Sequence, residues 1–256
     1  MNYDELVNKV LENEQSLIDL YSNHFSVGKA VRYYDEKLKD MYDHNYSFIE
    51  EIDDELFNQI LNVTKERNEE FIKICSSSKN EFLLQKGFEE EIILTMVKED
   101  YKDFPIPGNY LIQYKNVREN EGIINDIIAT EIIYYGKQYG IDFTIRRYNR
   151  YFNKIKEGEN GFNLFACFYQ NQIVAYCYTY YSNGVVGVDG LLVVEEFRHQ
   201  YIASNLLRYI ASFYNCPIYL HADEEETPKM MYEKLGFKTI DKSYDYFKDI
   251  KQDKDK

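Results

Sequence analysis

The stretch VVEEFRHQYIASNLLRYIA, Val193–Ala211, carries the reading of this chain. An apolar run ends at Val194 and two acids follow. Arg198 then stands before an amphipathic helix with Leu206, Leu207 and Ile210 at helical spacing. A helix entered directly from a strand presents backbone amides that lack intrahelical partners. With the positive end of the helix dipole, such amides form an anion site suited to a pyrophosphate. Arg198 adds charge at the rim, and the small side chains of Ala203 and Ser204 let a phosphate approach the backbone. Taken alone, this pattern describes any strand-to-helix unit. The elements around it give it weight.

Three strands lead into it: FNLFACFYQ (162–170), QIVAYCYTYYS (172–182) and VVGVDGLLVV (185–194). Their joins, Gln-Asn-Gln and Ser-Asn-Gly, are hairpin-turn chemistry. Two helices precede them, at 120–140 and 142–159. A strand (217–222), a short helix (228–235) and a last strand (237–247) follow. The order is ααβββαβαβ.

That order resembles the GNAT superfamily of N-acetyltransferases, and two motifs support the resemblance. The family's pyrophosphate loop, R/Q-x-x-G-x-G/A, is matched at its first and last positions by Arg198 and Ala203. Its closing motif, Tyr-x-x-x-Gly-Phe, is matched by Tyr232, Gly236 and Phe237. The likeness covers roughly residues 110–248. It implies an α/β (α+β) fold with a mixed, mostly antiparallel sheet flanked by helices. It further implies acetyl-CoA as cosubstrate and direct acetyl transfer to a primary amine on a small molecule or peptide.

The resemblance places the pantetheine arm beside a bulged strand at Leu191, Leu192 and Val193. It places the phosphates at Arg198, His199, Gln200, Tyr201, Ile202, Ala203 and Ser204. Tyr232 matches the tyrosine that protonates the leaving thiolate. Two departures stand out: His199 and Tyr201 occupy positions where glycine is usual. At negative φ the Tyr201 ring can turn outward while its amide serves. Positive φ, or very close approach by phosphate, works against CoA binding. Transfer to an amine also needs a base. Asp189, on the strand leading to the loop, and His221, at the end of the next strand, are the candidates. An imidazole of ordinary pKa suits proton removal.

The first hundred residues read differently. Residues 1–104 carry 24 acidic and 12 basic side chains, against 20 and 18 in residues 105–256. The acidic half repels nucleic acid and tolerates a cationic partner. KDFPIPGN (102–109) holds two of the four prolines and marks a linker. It divides the chain into domains 1–104 and 105–256. Helices are expected at 3–22 and 53–77, strands within 29–50, and a strand around 92–97. NEFLLQKGFEEEIILTMVKE (80–99) echoes KMMYEKLGFKTIDKSYDYFKD (229–249), with Leu83 opposite Tyr232. The first half is therefore expected to be a degenerate GNAT-like copy, giving two tandem domains.

Cys75, Cys167, Cys177 and Cys216 form no CxxC pair, and the four histidines show no ligand spacing, so neither disulfides nor a metal is expected. The N-terminal segment lacks the apolar core of a signal peptide, and no run is long enough to span a membrane. A cytoplasmic enzyme without membrane or nucleic-acid partners is expected. The 26 tyrosines leave room for a homodimer interface. The alternative function is a non-catalytic module that binds CoA or a nucleotide.

Overall fold

The computed structural model describes residues 2–100, 113–116, 120–156, 161–225 and 227–250. They gather into two compact units. The first comprises Met1–Leu17, Thr95–His221 and Met230–Ile240; the second comprises Ile18–Leu94, Ala222–Lys229 and Asp241–Lys256. The linker candidate at 102–109 falls largely outside the described residues.

The first unit is built on a meander. Strands β6 (Gln113–Asn116), β7 (Phe162–Tyr169), β8 (Gln172–Ser182) and β9 (Val185–Val193) pair antiparallel in that order. Both expected hairpins form. Gln170 and Asn171 have φ of 49° and 66°, and Asn183 and Gly184 have 52° and 79°. Two successive left-handed residues make the turn whose twist matches the flanking strands. These turns fix the registers Tyr169↔Gln172 and Ser182↔Val185. Helices α4 (Glu121–Tyr139) and α5 (Ile141–Lys156) are joined by Gly140 alone, at φ 91°. Asn120 caps α4 by accepting from the Ile123 amide at 3.2 Å.

Helix α6 (Ile202–Tyr214) then crosses to β10 (Ile218–Asp223), which pairs parallel to β9. That pairing covers only Ile218↔Val186 to Leu220↔Val188, so β9 runs on to Val193 without this partner. Helix α7 (Thr227–Lys234) and strand β11 (Lys238–Asp249) close the expected order. Sequence reading missed β6.

The N-terminal helix, α1 (Tyr3–Asp19), also belongs to this unit through residue 17. Its buried face, Leu6, Val10 and Asn13, recurs at helical spacing. Leu6 and Val10 pack with Val97, Val185 and Tyr219. Asn13 is fully buried. Its side-chain amide donates to Ser182 Oγ at 2.8 Å and to the Val185 carbonyl at 3.3 Å. Its oxygen accepts from the Tyr219 hydroxyl at 2.6 Å.

In the second unit, β1 (Asn23–Val27) and β2 (Ala30–Tyr34) form a hairpin. Strand β3 (Ser47–Ile49) pairs antiparallel to β2, β4 (Phe71–Ser76) parallel to β3, and β11 antiparallel to β4. Residues 53–77, expected as one helix, are helix α2 (Asp54–Glu66), a turn with Asn68 at φ 55°, and β4. The reason is tertiary. FIKICS is flanked by a strand on each side and buried along most of its length, and such a position outweighs helix propensity. Helix α3 (Glu81–Gln85) leads into β5 (Glu89–Lys98).

Chain order here repeats that of the first unit. A hairpin strand, a second strand, a helix, a parallel strand, a short helix and a long strand run as β2–β3–α2–β4–α3–β5. They run again as β8–β9–α6–β10–α7–β11. The two Gly-Phe pairs end their short helices alike. The Phe88 amide bonds the Leu83 carbonyl at 3.2 Å, and the Phe237 amide bonds the Tyr232 carbonyl at 3.0 Å. Gly87 and Gly236 have φ of 80° and 88°, which is the glycine-terminated helix cap.

Candidate active site

Strand β9 carries a bulge where the pantetheine arm is expected. Tyr176 pairs with Leu192 and Tyr178 with Asp189, so Gly190 and Leu191 share the single opposing residue Cys177. Gly190 has φ 60°, and a Cβ there would meet the Tyr178 ring at 2.8 Å. Only glycine fits both demands. The Asp189 carboxylate accepts from the Gly190 amide at 2.7 Å and so shapes the bulge. Leu191 and Val193 are half-buried and Leu192 is buried.

After β9 the chain makes one 3₁₀ turn, Glu195–Phe197, tied down where the Tyr134 hydroxyl accepts from the Glu195 amide at 2.6 Å. Arg198 is exposed. Its Nε donates to the Val193 carbonyl at 3.1 Å, and its guanidinium lies 5.8 Å from the Tyr134 ring centre. Its terminal NH2 groups remain donors. Gln200 donates to the Glu196 carbonyl at 3.1 Å.

His199 and Tyr201 both have φ of 61°. The loop thus takes a left-handed backbone at both departures from glycine, and at Tyr201 this is the positive φ expected to work against CoA binding, with a side chain bearing the strain. Tyr201 is 61% exposed. Tyr201 is the N-cap of α6 yet makes no side-chain capping bond. The first intrahelical bond recorded there runs from Asn205 to Tyr201. The amides of Ile202, Ala203 and Ser204 are those a helix leaves without intrahelical partners. The corresponding helix of the second unit is different. Asp53 caps α2 with its own carboxylate, accepting from Leu56 at 2.8 Å, and Asp54 and Glu55 follow. Three acids at that terminus disfavour an anion.

The candidate acid–base residues fall in the first unit. Asp189 lies two residues along β9 from Gly187, which is opposite Tyr219 on β10, and His221 lies two further along β10. Alternation along strands puts Asp189, Tyr219 and His221 on one face. The Tyr219 phenol is held well above its ordinary pKa by burial, then by the charges of Glu14 and Asp189. His221 Nε2 lies 2.8 Å from Glu14 Oε1. Tyr232 is buried on α7 with its ring 5.8 Å from that of Phe237.

Asn13, Glu14 and Tyr134 were not anticipated. The first two come from a helix about two hundred residues away in sequence, where periodicity reveals the buried face but not its target. Gly190 did leave a signal, being a glycine inside an apolar strand run. Among the described residues, no group of histidine, cysteine and carboxylate side chains is placed to hold a metal ion. No described helix is long and apolar enough to cross a membrane.

Residues 160–239, from the start of β7 through the loop to the Gly-Phe motif, match the family model of the acetyltransferase (GNAT) domain. A functionally unknown conserved protein from Staphylococcus epidermidis superposes with a TM-score of 0.72 at 19% identity, covering 90% of this chain and 96% of that one. A GCN5-related N-acetyltransferase from Kribbella flavida gives 0.65 at 13% identity, covering 93% of each. A tandem GNAT protein from the clavulanic acid biosynthesis pathway gives 0.53 at 10% identity, covering 77% and 69%. The fold is that of GNAT acetyltransferases, tandem members included. No curated protein matches the sequence.

Proposed function

We propose that the chain is an acetyl-CoA-dependent N-acetyltransferase whose catalytic domain is residues 105–256, completed by helix α1. The observation that carries this reading is the uncapped N-terminus of α6, entered through two left-handed residues, directly after a bulged strand. Such a backbone gathers amides into an anion cradle. Acetyl-CoA fits it with its pyrophosphate at Arg198–Ser204 and its pantetheine along Leu191–Val193.

The neutral amine nitrogen attacks the thioester carbonyl, and a backbone amide in the Gly190–Leu192 bulge stabilises the resulting oxyanion. His221 takes the proton the nitrogen sheds. With Nε2–H given to Glu14, the ring carries its lone pair on Nδ1. The C–S bond then breaks and Tyr232 protonates the departing thiolate. Asp189, engaged with the Gly190 amide, holds the bulge in shape. Within residues 1–104, the segment 18–94 is a degenerate GNAT copy, since Leu83 replaces the acidic hydroxyl and Asp53 closes the helix that would bind phosphate. The same reading makes the protein cytoplasmic, and its partner a small-molecule or peptide amine.

The test is calorimetric titration of the full chain with acetyl-CoA, followed by thiol release on presentation of primary amines. Saturable heat and amine-dependent thiol release are expected. Tyr232→Phe keeps the heat and loses most turnover. Absence of heat at millimolar acetyl-CoA removes the proposal. Heat without thiol release from any amine leaves the non-catalytic binding module.

A further inference from the structure

The side of β8 that faces α4 and α5 carries a buried polar cluster that the chemistry above does not use. Glu131, on α4, is 1% exposed. One of its oxygens accepts a very short hydrogen bond from the Tyr176 hydroxyl. The other oxygen makes no well-aligned hydrogen bond of its own, and the Tyr148 hydroxyl also hydrogen-bonds the carboxyl group and favours its ionised form. Burial outweighs both tyrosines and the weaker pull of Arg147, so the carboxyl is held above its ordinary pKa. The Tyr178 hydroxyl is likewise buried without a partner. Its ring is enclosed by Tyr151 at 5.3 Å, Phe152 at 6.0 Å, Tyr148 at 6.1 Å and Phe162 at 6.2 Å.

A buried polar atom without a partner costs stability, and two in one cluster call for an occupant. The position is telling. Tyr176 pairs with Leu192 and Tyr178 with Asp189, so these side chains flank the bulge on β9 from the neighbouring strand. A carboxylate oxygen needs a donor. A ring cluster favours a cation over a neutral group. One chemistry answers both needs.

We propose that Glu131 and Tyr178 form a buried subsite for an organic ammonium group, which fixes the acceptor beside the bulge. This rests on the acetyl-transfer reading and narrows its substrate. An ammonium held against a carboxylate stays protonated, and a protonated nitrogen cannot attack a thioester. The nitrogen at Glu131 is therefore not the one acetylated, and the acceptor carries two nitrogens: a charged anchor and a separate nucleophile. The aliphatic or aromatic body between them packs against the tyrosine rings.

The experiment titrates the full chain with 1,4-diaminobutane, n-butylamine hydrochloride and n-butanol, read by calorimetry and thermal shift. Both ammonium probes bind and n-butanol does not. Glu131→Gln, which preserves shape and the Tyr176 bond, weakens the ammonium probes roughly tenfold or more, the loss of one charge-assisted bond. Tyr178→Phe deletes only the unpartnered hydroxyl. It weakens the probes while leaving the melting temperature of the free chain unchanged or raised, which a purely structural hydroxyl would not do. CoA affinity is unchanged in both variants. Failure of both ammonium probes to bind, equal binding by n-butanol, or undiminished binding in both variants overturns the subsite, the cluster then holding internal water. Absent CoA heat with intact amine binding instead sinks the acetyl-transfer reading alone.

Discussion

Replacing Tyr201 by glycine tests the loop most directly. A non-glycine residue at φ 61°, ψ 16° sits in the left-handed region, where its Cβ crowds the following carbonyl at a cost of about 1–2 kcal/mol. Glycine removes that cost and returns about 0.4–1 kcal/mol through its greater freedom in the unfolded chain. The ring is 61% exposed, so little packing is lost. Tyr201→Gly should therefore stabilise the chain by roughly 0.5–1 kcal/mol, or about 2 °C in melting temperature for a protein of this size. It also removes the Cβ beside the α6 amides, and CoA affinity should rise roughly threefold to tenfold, about 0.7–1.4 kcal/mol. Tyr201→Ala keeps the Cβ and serves as control, gaining neither. Thermal unfolding and calorimetric titration with CoA read both effects. If Tyr201→Gly lowers the melting temperature, or weakens CoA while alanine does not, then the tyrosine is not strained in place of a glycine and the account of the loop is wrong.

Asn13→Ala should cost about 2–4 kcal/mol in chemical unfolding, because the Tyr219 hydroxyl and the Ser182 and Val185 acceptors lose their partner in a buried place; a loss below 1 kcal/mol would mean water replaces the amide. In the second unit, Arg32 and Glu69 form an ion pair with side chains 1% and 0% exposed. Arg32→Leu alone should destabilise by about 3–5 kcal/mol, and the double change with Glu69→Leu should recover most of it. Glu91 is raised to about 7 by burial and then by Asp223. A carboxyl raised in the folded state holds its proton more tightly there, so its contribution is greatest below pH 4.5 and falls as pH climbs through 7. The Glu91 side chain as a whole is exposed, so solvent limits the effect to about 1 kcal/mol. Glu91→Gln should flatten the stability curve between those limits, and an unchanged slope would refute the assignment.

Local chemistry made much of this fold legible. Gln170-Asn171 and Asn183-Gly184 specify their own hairpins, and the two Gly-Phe pairs announce helix ends whatever the tertiary setting. Residues 71–76 were not legible, because a strand covered on both sides displays no alternation to set against a preceding helical pattern. The loop at 198–204 was legible as a strand-to-helix connection, though sequence alone did not fix the sign of φ at Tyr201. Glu14 and Asn13 were hidden for another reason. Nothing within α1 states which distant strand its polar residues will meet. Glu131 was hidden too, since one acid in an apolar helix reads as a surface residue until α5 and β8 close around it.

Helix α1 leaves the ribosome well before the Tyr219 hydroxyl that anchors Asn13, which is 206 positions later. At about 5–20 residues per second, that separation amounts to ten seconds or more of synthesis. Leu6 and Val10 spend that interval without their eventual cover. Helix α1 is thus a natural client for holding factors, and final closure of the first unit waits on the last third of the chain.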